Sequence, residues 1–512
     1  MESTWMHLDD QPQLLVDNAL IESTQGLARR WHKPRRQGDA PLIVRDRPWE
    51  QAPFFTYSNH IVLRDPLDGL FKCWYEDLGG ELTDDGASPR RTRLLYAESE
   101  DGLVFRKPAL DICTFAGTPT NVVMGHLGGR QAVDNRNPWA QEGVHSNGLV
   151  IDPHPSRADA RFLTVFVRAE LSAGQGIGMR HSTACAHSPD GIHWKPYRAA
   201  PAFGSSPGGL GDVTCLHYDP EGRMFVLNTR HGLMSSAALP EGTPDLGPWF
   251  NAYYPQRPDL NNKRRVHQTR SADFLHWTEP LPVSVPDDAF DNLDEGHYGM
   301  QQFHVGGLHF ATLGILRYVD NEMEVRLLYS RDGIHFHPAD RGQPFLAPRG
   351  IGHWDAHMVS MTSPPVEVGN EWWFYHGGSA GHHDVKIPGE SKTFGLGLAR
   401  LRKEGLASLE ASPHRDGYFI TRPLSCQHRN PSASRLRINA CCRRSGSVRV
   451  ALLDQRNRPL DGFSLEDCEP FQGDDVAHEV RWRGHGVGSL GEAWVKLHVQ
   501  LRHAEIFAFR FD

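Results

Sequence analysis

A seven-residue pattern recurs four times in the chain and constrains its fold more than any other feature. The pattern is Ser-x-Asp-Gly-x-His-aromatic, with small departures, at residues 99–105, 188–194, 271–277 and 330–336. In such a segment the Asp side chain accepts hydrogen bonds from its own turn, the Gly adopts a positive φ, and the aromatic residue begins the next strand facing inward. Each copy therefore predicts a β-hairpin.

A second repeated unit lies upstream of the hairpins. It consists of a β-run, a turn of Asp, Pro and Gly, and another β-run, and five copies occur, the last one without the heptad. Five units of about four strands each predict an all-β fold with a five-bladed β-propeller over residues 46–425. The copies begin near residues 60, 148, 213, 298 and 358.

The two ends of the chain lack the repeated units and show other sequence patterns. Residues 426–512 alternate apolar and polar side chains with period two, which predicts a small antiparallel β-sandwich. We expect its strands near residues 435–439, 447–453, 478–482, 493–499 and 505–511. Residues 1–45 are predicted to form an irregular N-terminal wrap with one short helix near residues 14–28.

Composition excludes several classes of protein. The 512 residues carry a formal net charge of -8 and show no basic stripe, which disfavours nucleic-acid binding. No window approaches the ~20 apolar residues of a membrane span. The eight cysteines are scattered without a CxxC pair, which disfavours a zinc ribbon or a disulfide framework. The N-terminus lacks a basic start followed by an apolar run, so we expect a cytoplasmic protein.

A five-unit propeller followed by a sandwich resembles glycoside hydrolase family 32 and its relatives in families 43, 68 and 117. The stretches Tyr298-Gly-Met300 and Ser363-Pro-Pro-Val366 also resemble a family-32-like bacterial group. The resemblance implies a glycoside hydrolase acting on a small glycoside or oligosaccharide, with a furanoside such as a fructoside or arabinoside as the expected type.

The family's catalytic motifs are not matched. Family 32 has its nucleophile in an Asn-Asp-Pro-Asn motif, where this chain has Tyr57-Ser-Asn59-His60, and the family's Glu-Cys acid motif is absent. Arg64-Asp65-Pro66 lies where the repeat itself needs an Asp-Pro turn, so we interpret it as structural. Catalytic residues therefore have to be sought in this chain's own pattern.

Propeller sites form on the central axis, where the innermost strand of each blade begins. Three such positions carry acids: Asp212, Glu295 and Asp355. Glycoside cleavage needs a protonated acid and a carboxylate that acts as nucleophile or base. We assign Glu295 as the acid, because the pKa of Glu starts higher and neighbouring carboxylates raise it further. Asp212 is assigned as nucleophile or base, and Asp355 as a third carboxylate.

Polar and aromatic residues near the same strand starts are the predicted substrate-binding set. Arg230 either binds a substrate hydroxyl or pairs with Asp212, and the aromatic residues offer faces on which a sugar can stack. The predicted set is Asn59, His145, Asn147, Arg230, His297, Tyr298, Trp354 and His357.

Two alternatives to a glycosidase stay open. One is a non-catalytic carbohydrate-binding propeller. The other is a metal-dependent hydrolase or lyase that uses the histidines near the strand starts, although their spacing matches no compact motif such as HExxH. The leading hypothesis needs no cofactor and no partner besides a carbohydrate, and a homo-oligomer formed through the C-terminal sandwich stays open. The hairpin histidines His193, His276 and His335 are predicted to be structural.

Overall fold

The structure is a computed structural model of the 512-residue chain. Among the residues that the structure describes, the regular elements are β-strands apart from short 3-10 helices at Ala158–Ala160, Ala339–Gly342 and Val487–Ser489. In the part of the chain that the structure describes, no helix has the length and apolar character needed to cross a membrane. The described residues are 6–7, 10–79, 91–125, 143–155, 157–170, 180–197, 199, 201–203, 210–231, 264–287, 289–383, 393–425, 435–489 and 494–512.

The first three strand groups follow one another along the chain, and their long strands pair antiparallel. The first group contains Pro53–Phe54, His60–Arg64, Phe71–Gly79, Arg91–Ser99 and Val122–Met124, and the hairpin Leu110–Phe115 with Thr118–Thr120 lies beside it. The second contains Gly143–Ile151, Phe162–Glu170, Arg180–Ser188 and Lys195–Pro196. The third contains Ala202–Phe203, Leu210–Asp219, Met224–His231, Val266–Ser271, His276–Trp277 and Leu281–Ser284.

The fourth and fifth groups are joined in one ten-stranded sheet by a single parallel pairing, Met323 with Met358. The fourth contains Glu295–Val305, Leu308–Arg317, Glu322–Ser330, His337–Pro338 and Pro344–Leu346. The fifth contains Met358–Ser360, Val366–Val368, Glu371–Ser379 and Phe394–Arg402, and the N-terminal strand Arg35–Arg36 completes it.

The repeated heptads form the predicted turns. In the copy at 188–194, Asp190 Oδ1 accepts hydrogen bonds from the backbone N–H groups of Ile192 and His193 at 2.9 and 2.8 Å. Gly191 has φ +80°, a conformation that costs a glycine little. The aromatic residue of this copy, Trp194, is buried. The prediction of a structural hairpin is confirmed.

Neighbouring groups share apolar cores, and the sharing continues from the last group back to the first. Trp74 of the first group packs in one cluster with Phe166 of the second. Further clusters join the second group to the third, the third to the fourth, and the fourth to the fifth. Tyr75 of the first group lies in one cluster with Trp373 of the fifth. Each group is thus covered on both faces by its neighbours, which is how a twisted sheet of this size buries its apolar residues.

The N-terminal segment is built differently from the prediction. The region 14–28 contains no helix; the strand Ile21–Gln25 and the beginning of Leu27–Trp31 occupy its second half instead. These strands pair with Gly417–Thr421 and Ala407–Ala411, and Gln13–Leu14 pairs with the last strand of the chain. The expected helix is therefore wrong, and residues 21–31 are not irregular: strands distant in sequence complete their hydrogen bonding, and local periodicity does not reveal such a pairing.

The C-terminal sheet has eight strands around its own apolar cluster. Pairs of expected strands are joined into single long ones, Leu436–Leu453 and Lys496–Phe511, which pair with each other through two register shifts. The sheet includes Ala407–Ala411 and Gly417–Thr421, so it begins before residue 426. Its other strands are Gln13–Leu14, Ile21–Gln25, Leu27–Trp31 and Asp474–Glu479; Met6–His7 pairs separately with Leu424–Ser425.

Candidate active site

Three of the predicted binding residues meet at a carboxylate that the sequence analysis did not select, Glu76. Its Oε2 accepts hydrogen bonds from Asn59 Nδ2 at 2.9 Å and from His145 Nδ1 at 2.8 Å. Its Oε1 accepts two more from Asn147, through Nδ2 at 2.9 Å and the backbone N–H at 3.2 Å. The Glu76 side chain is fully buried. Four hydrogen bonds fix its position, so Glu76 holds the His145 ring in one orientation.

His145 lies between two acids. Burial disfavours its charged form, but the negative charges of Glu76 and Asp212 and the hydrogen bond to Glu76 outweigh burial and raise the pKa of His145. About a fifth of the side chain is exposed. His145 is therefore an imidazolium ion over a wider pH range than a free histidine, and it can reach a bound ligand.

Asp212 is the solvent-accessible acid of this region. Its Oδ1 is paired with Nη2 of Arg230, and 49% of its side chain is exposed. Burial of part of the group opposes ionisation, but the charges of Arg230, His145 and Arg264 lower its pKa to about 2. Asp212 is thus a carboxylate anion at any ordinary pH, with an open side that a substrate can approach.

An aromatic ring supports the two arginines around Asp212. The guanidinium carbons of Arg230 and Arg264 each lie 4.8 Å from the centre of the Tyr298 ring. Cation–π contacts of this kind hold a guanidinium group in place. Tyr298 is itself held by His383, whose Nε2 is 2.9 Å from the tyrosine oxygen. Tyr298 is 7% exposed, so it supports Arg230 and offers little open face for a sugar.

Local irregularities in three strands direct these side chains. The antiparallel register shifts between His145 and Gly148, between Leu210 and Thr214, and between His297 and Gly299, at the same end of the second, third and fourth groups. Such bulges turn side chains out of the alternating pattern and are common beside active sites. The His145 and Asp212 segments also contact each other, because Ser146 Oγ donates to the Asp212 carbonyl.

Glu295 is surrounded by cations and not by acids. Arg326 binds it with two nitrogens, at 2.7 and 3.0 Å, and Arg317 lies 3.3 Å away. Asn292 Nδ2 donates a further hydrogen bond at 2.6 Å. Burial raises the pKa of Glu295, but the arginine contacts outweigh burial and lower it. The predicted increase in the pKa of Glu295 is therefore wrong, because the charged groups that contact this carboxylate are guanidinium groups and not other carboxylates.

Asp355 is also enclosed by arginines. Its side chain is fully buried and contacts Arg36 Nε at 2.9 Å and Arg349 Nε at 2.6 Å. Arg36 belongs to the N-terminal strand that completes the fifth group. The neighbouring Trp354 stacks on His376, with ring centres 5.5 Å apart. The described side-chain partners of Asp355 are thus two arginines, and its predicted place beside Asp212 and Glu295 in one funnel stays a prediction.

The two remaining predicted binding residues lie in separate clusters. His297 Nδ1 is 2.7 Å from Ser284 Oγ, and its Nε2 is 3.6 Å from Asp291. His357 Nδ1 is 2.8 Å from Glu322, and its ring stacks on that of His382 at 3.8 Å. The potential ligand atoms of Glu322, His357 and His382 all lie within 4.8 Å of one another, so this cluster could hold a metal ion.

A signal for Glu76 is present in the sequence. The residue follows the run Phe71–Tyr75, which is mostly apolar, and its backbone N–H donates at 2.8 Å to the carbonyl of Asn59, just before the strand His60–Arg64. The sequence analysis considered only residues near the start of the innermost strand of each unit. Glu76 lies opposite Asn59 on the next strand, Phe71–Gly79, and was therefore missed. Arg230, which was selected, has this same position in the third group, next to Gly211.

No protein-family model matches the sequence, and no curated protein matches it. Three of the solved structures that align with the chain share 14% identity with it. An N-acetylgalactosamine deacetylase from F. plautii, in complex with blood group B trisaccharide, aligns over 75% of this chain and 97% of its own, with a TM-score of 0.41. A glycosyl hydrolase from Bacteroides ovatus aligns over 73% and 94%, with a TM-score of 0.42. A structure from glycoside hydrolase family 130, described as mannoside phosphorylases that include hydrolases targeting β-1,2-mannosidic linkages in Candida mannan, aligns over 77% and 97%, with a TM-score of 0.42.

Proposed function

We propose that the five strand groups are the blades of a five-bladed β-propeller and that the C-terminal sheet folds as a sandwich beside it. The sequential order of the groups and the apolar clusters that connect each group to the next, including the fifth to the first, support this arrangement. In a propeller, the blade ends that carry the functional residues face one central channel. This arrangement places Glu76, His145 and Asp212 around a common opening.

We propose that the protein is a glycoside hydrolase whose reacting groups are Asp212 and His145. The observation that supports this is a half-exposed carboxylate anion beside a histidine whose pKa is raised by two acids, Glu76 and Asp212 itself. Hydrolysis of a glycosidic bond needs one group that gives a proton to the leaving oxygen and one anion that attacks the sugar carbon or activates water. His145 is the proton donor in this proposal, and Asp212 is the nucleophile or base.

The other acids have supporting roles in the proposal. Glu76 orients His145 and stabilises its positive charge, so it is a positioning residue. Glu295 and Asp355 are structural, because each is buried and neutralised by two arginines. This replaces the initial assignment of Glu295 as the acid, since a carboxylate whose pKa is lowered by Arg326 does not retain a proton to donate.

The expected substrate is a small glycoside or oligosaccharide. Arg230 supplies N–H donors near Asp212 that can bind sugar hydroxyl groups, and the buried Asn147 Oδ1 is an acceptor without a hydrogen-bond partner among the described residues. A furanoside, either a fructoside or an arabinoside, is the proposed type, and this preference rests only on the family resemblance.

A second candidate function is metal-dependent hydrolysis. The Glu322, His357 and His382 cluster favours it, because His383, next to His382, is hydrogen-bonded to the Tyr298 that supports Arg230. A metal ion bound by His382 would be linked to the Asp212 region through the next residue, His383, and its contact with Tyr298. Imidazole and carboxylate ligands suit Zn²⁺ and related ions.

A substrate panel separates these functions. Purified protein would be incubated with fructans, arabinans, galactans and aryl furanosides and pyranosides, with and without EDTA, and released sugar would be measured beside equilibrium sugar binding. Release that is insensitive to EDTA supports the glycosidase. Release lost with EDTA and restored by Zn²⁺ supports the metal-dependent hydrolase. Binding without release from any compound would contradict both and favour a carbohydrate-binding module.

A further inference from the structure

A second cluster of ligating side chains lies at the other end of the strands that carry the candidate active site. Glu295 begins the strand Glu295–Val305 and His304 is next to its end, roughly 30 Å away at about 3.3 Å per residue. Asp212 and Asp219 lie near opposite ends of Leu210–Asp219 in the same way. Glu221 is in the turn after this strand, so two neighbouring turns place Glu221 and His304 together.

Strand pairing positions the two histidines of this cluster. His304 and His309 are direct partners across the hairpin that joins Glu295–Val305 to Leu308–Arg317, and their ring centres are 5.0 Å apart at an angle of 68°. Glu221 Oε1 lies 3.5 Å from His304 Nε2. One ligand atom from each of these three residues lies within 4.8 Å of the other two.

Polar atoms in this region lack the partners that burial normally requires. Within the described residues, the buried His304 Nε2 makes no hydrogen bond, and neither ring nitrogen of the nearby buried His217 makes one. An unsatisfied buried polar atom costs about 1–3 kcal/mol. A bound cation at His304 would remove one such cost.

The charges around the cluster suit a cation in part. Asp219 and Glu221 are acids close to His309, and Arg270 is the opposing cation.

We propose that Glu221, His304 and His309 bind a divalent transition-metal ion of the Zn²⁺ class, in a site separate from the candidate active site. Two imidazoles and one carboxylate are a common ligand set for such an ion, with a fourth position left to water. Two of the proposed ligands, Glu221 and His304, line a cavity of about 960 Å³ together with His217 and other residues. The ion would join the turn after Leu210–Asp219 to the hairpin between Glu295–Val305 and Leu308–Arg317.

Zinc titration of metal-free protein tests the proposal. Protein stripped with EDTA and dialysed would be titrated with Zn²⁺ by calorimetry, and Co²⁺ absorption would report the ligand geometry. We expect binding in the wild type, a loss of one ion per chain in His304→Ala, and an affinity at least roughly tenfold weaker in Glu221→Gln. Glu221 is half exposed, so Glu221→Gln keeps the test valid if His304→Ala fails to fold.

Two variants serve as controls. His335→Ala removes an exposed hairpin histidine and should bind as the wild type does. Glu322→Gln alters the other metal-binding cluster and should leave this ion in place. No Zn²⁺ binding by the wild type, or unchanged binding by both His304→Ala and Glu221→Gln, would overturn the proposal. Glycosidase activity is not the readout, so failure here is distinguishable from failure of the proposed function.

Discussion

Four acids near the predicted active-site ends of the strand groups fall into two regions, and the side chains that contact them differ between the regions. In the first three groups, Glu76 is bound by asparagine and histidine side chains, and Asp212 stays half exposed with Arg230 as its ion-pair partner. In the fourth and fifth groups, Glu295 and Asp355 are fully buried and each contacts two arginines. The residue types and strand positions are similar, but the partners differ.

The difference shows what a carboxylate can do in each place. A carboxylate buried against two guanidinium groups has its lone pairs occupied and its charge neutralised, so it connects segments of the fold. Where two carboxylates interact with one histidine, the histidine can hold a proton beside them and transfer it to a substrate. Chemistry is therefore expected at Asp212 and His145, and stability is expected from Glu295 and Asp355.

The largest predicted effect is on stability, in Asp355→Ala. Removing this acid leaves Arg36 and Arg349 close together with no anion between them. We expect the free energy of unfolding to fall by about 3–5 kcal/mol, measured by urea denaturation. Asp39→Ala is the matched control, since Asp39 also contacts Arg349 but is exposed, and it should change stability little. A stable Asp355→Ala protein without activity would instead place Asp355 in the chemistry.

The next effect is on the reaction rate, in His145→Asn. Loss of a general acid costs a factor of roughly 10² to 10⁴ in rate. We expect a fall in kcat within this range on any glycoside that the wild type cleaves, with the folded state retained by circular dichroism. His193→Asn, in an exposed hairpin, is the control. A rate in His145→Asn within a few-fold of wild type would rule out His145 as the proton donor.

The pH dependence of activity sharpens the comparison. The pKa of His145 is raised above its ordinary value, so its proton is lost at a higher pH than that of a free histidine. Asp212 stays ionised down to about pH 2, so it sets no limit near neutrality. We expect kcat/KM to fall about tenfold per unit as the pH rises above the raised pKa of His145.

Glu76→Gln tests the cause of that alkaline limit. The amide removes the negative charge that raises the pKa of His145, so the alkaline limb should move to lower pH while the wild-type shape is kept. The measurement is the kcat/KM profile of both proteins on one substrate. An unchanged limb in Glu76→Gln would show that His145 is not the group titrated.

The smallest predicted effect is in the hairpin histidines. His335 Nδ1 lies 2.7 Å from Asp332, but the histidine side chain is 82% exposed. Exposed pairs of this kind contribute about 0.2–1 kcal/mol, so His335→Ala should lower stability by no more than that in thermal unfolding. A larger loss would mean that the repeat histidines do more than support their own turns.

Periodicity and turn motifs predicted most of the local structure. The heptads became hairpins because Asp and Gly specify the turn within seven residues, as at Asp190 and Gly191. Period-two alternation located the C-terminal strands. It could not show that Ile21–Gln25 pairs with Gly417–Thr421, because that pairing joins segments about 400 residues apart, and a helix was predicted there instead.

The candidate site was predictable only in part. Asp212 and His145 were selected because they lie at strand beginnings, and the structure places them in one electrostatic cluster. Glu76 was missed because it lies on the partner strand. The lowered pKa of Glu295 could not be predicted from the sequence either, because Arg317 and Arg326 contact it from two other strands of its group.

The most direct test compares Asp212→Asn with Glu295→Gln on one cleaved glycoside, measuring kcat/KM and the unfolding midpoint of each. The account predicts that Asp212→Asn loses at least roughly 10²-fold in kcat/KM with its midpoint nearly unchanged, because its side chain is half exposed. Glu295→Gln should keep kcat/KM within a few-fold and unfold at a lower temperature, because Arg317 and Arg326 lose their anion. The reverse pattern, with activity lost in Glu295→Gln and kept in Asp212→Asn, would contradict it.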